Sequence, residues 1–104
     1  MRLESERLAL SYRTIPSKIV VGEHFVLELA ACPKRGAKLS GEVKLDAHMP
    51  EHRHGMNYRP SVVPLGPPGS GRYRSAGWLF HMSGRWEFVF EFGAERITDS
   101  VRVE

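Results

Sequence analysis

A chain of 104 residues is long enough to fold around one hydrophobic core and short for two domains. Apolar residues at 41% and charged residues at 26% are the mix of a globular protein, which argues against disorder, and no apolar run approaches the about 18 residues that cross a membrane as a helix. The net charge is only +3, and Lys and Arg lie scattered among Asp and Glu, so the concentrated basic face of a nucleic-acid protein is missing and no nucleic-acid partner is expected.

Alternation of apolar and polar residues recurs from end to end. Leu8, Leu10 and Tyr12 alternate with Arg7, Ser11 and Arg13, and a β-branched piece from Ile15 to Val21 is interrupted by Pro16. Phe25, Leu27, Leu29 and Ala31 form the next stripe, followed by Val43, Leu45 and Ala47. Trp78, Phe80 and Met82 share one parity. Trp86, Phe88, Phe90 and Phe92 form the strongest stripe, opposed by Glu87 and Glu91. Ile97, Val101 and Val103 close the series.

Turn signals separate these runs at Pro33 to Gly36, Gly55, Pro64 to Gly71, Ser83-Gly84 and Gly93-Ala94-Glu95. No window carries a helical period. The pattern predicts a single all-β domain over residues 1–104, an antiparallel sandwich of about seven strands with Greek-key connections. The expected core is Leu8, Leu10, Phe25, Leu27, Leu29, Val43, Leu45, Trp78, Phe80, Trp86, Phe88, Phe90 and Val101. The Met82-Ser83-Gly84 turn is expected to join two adjacent strands as a hairpin.

One segment stands apart. From His48 to Met56, nine residues hold three of the five histidines and two of the four methionines, and His81-Met82 repeats the pairing. Imidazole binds Cu, Zn and Ni, whereas thioether is soft and prefers Cu(I), so a mixed His/Met set points to copper. In an extended chain His48, His52, His54 and Met56 share a parity and line one side. His52 and His54 are the expected primary ligands, with Met49 or Met56 supplying sulfur and His48 and His81 in reserve. Met82 on the Trp78 parity is expected in the core, His24 in solvent, and Cys32 as a small buried or half-buried side chain without an internal disulfide partner.

Catalytic motifs fail on their own chemistry. His48 to His52 has the spacing of a zinc-protease helix, but Glu51 is misplaced and Pro50 breaks the helix that the motif requires. The stretch from Gly66 to Gly71 lacks the Gly-Lys-Ser/Thr ending of a phosphate loop, and no Gly-x-Ser-x-Gly elbow is present. A binding module is expected, not an enzyme. The alternative is a metal-free domain that presents loops or an edge strand to another protein.

Ala47-His48-Met49-Pro50, His52-Arg53-His54-Gly55-Met56, Gly71-Arg72-Tyr73 and the run from Phe80 to Glu87 together resemble the YtkA-like domains and, in part, the membrane-tethered FixH proteins. The likeness covers roughly residues 20 to 104 in order and rests on a Met-Pro-x-x-x-His segment, a Gly-x-Tyr strand start and a Met-x-Gly-x-Trp motif. The resemblance implies an immunoglobulin-like sandwich, a periplasmic or extracytoplasmic setting and an association with copper, and for the metal-free alternative a partner in an envelope or respiratory-complex assembly. It implicates Met49, His52, His54, Met56, His81 and Met82. His48 and His54 make this segment richer in ligands than the family pattern needs. The first residues, Met1 to Glu6, are polar and carry no apolar stretch of the kind a secretory signal requires.

Overall fold

Residues that alternate in polarity become strands because successive side chains point to opposite faces, and one face must leave water. A computed structural model describes residues 2–34, 42–52, 54–56, 58–67 and 69–104, and within them the chain forms strands and no helix. The strands are β1 (Arg2–Glu4), β2 (Leu8–Ile15), β3 (Phe25–Pro33), β4 (Val43–Met49), β5 (His54–Gly55), β6 (Ser61–Leu65), β7 (Arg72–Trp78), β8 (Gly84–Phe92) and β9 (Glu95–Val103). The expected turn from Pro33 to Gly36 runs into residues outside the described ones. With no helix present, none is long and apolar enough to cross a membrane among the described residues.

Two antiparallel sheets result, ordered β1-β2-β3-β7-β6 and β5-β4-β8-β9. Leaving aside the short outer strands β1 and β5, four strands in the order β2-β3-β7-β6 face three in the order β4-β8-β9. This is the Greek-key arrangement of an immunoglobulin constant-type sandwich. The strand count exceeds the expected seven because β1, β5 and β6 are short or carry no clear alternation. β6 escapes a sequence reading because Pro64 sits inside it. Proline is tolerated there because β6 is the outer strand of its sheet.

The expected hairpin at Met82-Ser83-Gly84 does not form. β7 and β8 belong to different sheets, and residues 79–83 cross between them. The aromatic stripes on either side of this turn meet across the sandwich interior, not along neighbouring strands. Phe80 in the crossover lies flat on Trp86 with ring centroids 4.3 Å apart and an interplanar angle of 8°. The Trp86 indole N–H donates to the Met82 carbonyl at 3.0 Å and closes the bend. The two-residue hairpin lies instead at Gly93-Ala94, where β8 turns into β9 with Phe92 opposite Glu95.

Phe88 is the centre of the core. Its ring lies among those of Tyr12, Phe25, Trp78, Phe80 and Phe90, at centroid separations from 5.4 to 6.4 Å. All but Phe90 reach it from the opposite sheet or from the crossover, so one side chain ties the two layers together. Val43 and Val101, expected inside, are only half-buried and pack against the core's edge. Tyr12, Ala31, Ala47, Met49, Phe92, Ile97 and Val103 complete the core. The buried Ser75 hydroxyl accepts the Trp78 indole N–H at 2.8 Å and donates to the Ser61 carbonyl, so neither polar group is buried unsatisfied.

Tyr12 also joins the sheets through polar chemistry. Its hydroxyl on β2 donates to the Asp99 carboxylate on β9, and burial together with that carboxylate pushes the phenol well above its ordinary range.

Two predictions follow from this packing. Phe88→Ala removes the ring shared by both layers and should lower stability by on the order of 3–5 kcal/mol in denaturant unfolding. For Tyr12, the folded protein keeps its phenolic proton while the unfolded chain loses it near pH 10. Its stabilising contribution is therefore complete below about pH 10 and declines as pH rises above that. Tyr12→Phe should accordingly flatten the alkaline end of the stability profile, and an unchanged slope would show that the buried Tyr12 phenol carries no such linkage.

Candidate functional site

The His/Met segment begins inside β4. Ala47 and Met49 face the core, and His48 between them faces outward. Pro50, Glu51 and His52 then turn the chain back, with the His52 N–H donating to the Met49 carbonyl at 3.2 Å. β5 returns along β4, placing Gly55 opposite His48 and His54 opposite Met49. This reversal overturns the expectation that His48, His52, His54 and Met56 line one side. Parity counts only along a continuous extended chain, and the chain turns between Met49 and His54.

The described side chains among the expected ligands differ in surroundings. His48 is half-buried on the outer face of its sheet, with Nε2 3.6 Å from Glu87 Oε1, its cross-strand neighbour on β8. Met49 is not a loop residue: it is 1% exposed and part of the core. Its methyl lies so close to Gly84 that a Cβ there would stand 2.6 Å from it, and Gly84 has a φ of +133° that side chains rarely adopt. Met56 and Met82 are half-buried and pack against the core's edge. His52 is exposed in the turn. The side chain of His54 lies outside the described ones.

His81 is half-buried in the crossover, with its ring edge-on to Trp86 at 5.7 Å. His24 is exposed, as expected. Cys32 corrects an expectation: it is exposed, because the alternation of β3 turns Ala31 inward and Cys32 outward. Its Sγ lies 3.8 Å from the Pro33 carbonyl oxygen.

The fold nevertheless brings two distant parts of the sequence to one end of the sandwich. Arg85, at the start of β8, donates from Nε to Glu51 Oε1 at 3.0 Å and from a terminal nitrogen to Ser100 Oγ at 3.1 Å. The turn carrying His52 is thereby held beside the stretch that follows His81-Met82. Glu51, the carboxylate nearest His52 in sequence, is ion-paired with the guanidinium. Among the described residues no three His, Cys, Asp or Glu side chains stand close enough to enclose a metal ion.

Sequence reasoning missed the partners Glu87 and Arg85. Glu87 is legible as a polar-face residue opposing the aromatic stripe, but its pairing with His48 depends on the β4–β8 register, which nothing local specifies.

Comparison with models of known protein families, with curated proteins and with solved structures gave no match.

The burial contrast can be measured. Met49→Ala should cost about 2–5 kcal/mol, as core methionines do. His52→Ala, in an exposed turn, should stay within about 0.5 kcal/mol of wild type. Equal effects in thermal unfolding would contradict this placement.

Proposed function

We propose that this chain is a copper-binding module of the chaperone or sensor type, acting outside the cytoplasm, and not an enzyme. The observation that carries the reading is the Arg85–Glu51 contact, which ties the turn holding His52 to the start of β8, where Arg85 lies three residues after Met82. On this reading His52 in the turn and His81 and Met82 before β8 supply donors from two distant parts of the sequence. A mixed imidazole and thioether set suits copper better than zinc, which recruits Cys and carboxylate and seldom Met. The resemblance to YtkA-like domains supports the same reading. His52 and His54 are the primary imidazoles in this proposal. With Met49 committed to the core, sulfur comes from Met56 or Met82 at the core's edge, and His81 stands in reserve.

A second reading has its own observation. Since no three His, Cys, Asp or Glu side chains gather among the described residues, a metal-free domain that docks on an envelope protein remains the competing function. Copper titration decides between them. The proposal expects one stoichiometric site for Cu(I) or Cu(II) that is preferred over Zn(II), lost for Cu(II) in the His52→Ala/His54→Ala double variant, with the β-sheet circular dichroism unchanged. Imidazole ligates only without its proton, so Cu(II) affinity should fall on acidification, whereas a Cu(I) site dominated by thioether should change much less. Full-strength Cu(II) binding by the folded double variant would refute the ligand assignment. No copper binding by the wild-type chain would leave the docking reading.

A further inference from the structure

β1 covers only the first part of β2, pairing with Ala9, Leu10 and Ser11. Beyond Ser11, the edge of β2 has no strand beside it among the described residues, and β9 in the facing sheet is also an outer strand. Where β1 stops, a cleft of about 520 Å3 opens between the two sheets. That volume falls within the roughly 300–1,000 Å3 of small-molecule sites. Its apolar lining comes from Tyr12, Ile19, Phe88 and Val101. The loop after β2 lines one side of the cleft through Ser17, Lys18 and Ile19, and within it the Thr14 hydroxyl donates to the Ser17 carbonyl at 3.2 Å.

The mouth is cationic. Lys18 and Arg102 stand there, both exposed and neither in an ion pair among the described residues. Arg13 also borders the cleft, but its guanidinium is bound to Glu28 at 2.7 Å on the outer face of the sheet. One carboxylate, Glu104, shares the mouth with the two uncommitted cations. An apolar slot with a positive mouth is complementary to a molecule with a hydrocarbon body and an anionic head.

We propose that this cleft binds an amphipathic organic anion, such as a medium-chain carboxylate. The hydrocarbon lies between Tyr12, Ile19 and Val101, and the head group lies between Lys18 and Arg102. The site is independent of the metal reading and shares no ligand residue with it.

The test uses the full chain with dodecanoate below its micellar range, followed by calorimetry and by amide chemical shifts. The expected result is one saturable site, with shifts concentrated at Ile19 and Val101. Lys18→Glu/Arg102→Glu should weaken binding by about tenfold or more. Both residues are exposed, so the fold should survive, and circular dichroism checks that it does. Raising salt on the wild-type protein should also weaken binding, an arm that needs no variant. Val101→Trp should fill the slot and block it. Dodecyltrimethylammonium, with the same tail and the opposite charge, should bind far more weakly. The proposal is overturned if dodecanoate shows no saturable binding, if the shifts fall elsewhere, or if the charge-reversed variant or the cationic analogue binds as tightly as the wild-type pairing.

Discussion

The stack of Phe80 on Trp86 is the contact on which the rest of the molecule depends. It joins the chain just as it leaves one sheet and enters the other, and Phe88 extends the same aromatic packing into the centre of the sandwich. Burying a large apolar side chain contributes roughly 1.5–3 kcal/mol, and aromatic pairs in offset or edge geometry add somewhat more. In a domain this small, such terms are comparable to the net stability. The crossover that these rings anchor also carries His81 and Met82, so the geometry of the candidate site is inherited from the core.

Much of the fold was legible in the residues, because period-two alternation reports directly on which face is dry. The stripes at Leu8 to Tyr12, Phe25 to Ala31, Leu45 to Ala47 and Trp86 to Phe92 all face inward. What escaped was connectivity. Trp78, Phe80 and Met82 read as one strand leading into a hairpin, since parity cannot tell a neighbouring strand from one in the facing sheet. β6 escaped for a different reason. Its pattern is weak and contains a proline, and only its outer position makes that residue acceptable.

The candidate site was less legible than the fold. Composition picked out the His48 to Met56 segment, but the roles of its members depend on where the chain reverses. Pro50 marks a turn, yet nothing local tells that Met49 still belongs to the strand and so to the core. His48 meets Glu87 through a register set by hydrophobic stripes some forty residues apart in sequence. The tie between Arg85 and Glu51 is equally non-local. Chemical identity was readable from residue type, and spatial grouping was not.

Pro64 has a consequence beyond its tolerance in β6. An outer strand offers a row of main-chain groups on which a foreign strand can be added, and a chain that begins such growth can continue into a fibril. Proline brings no N–H to that ladder and fixes its own backbone angle. It sits near the middle of the exposed margin of the five-stranded sheet, beside the 53% exposed Val63. The residue that obscured this strand in the sequence thus acts as a gatekeeper, keeping a sticky margin from recruiting further copies.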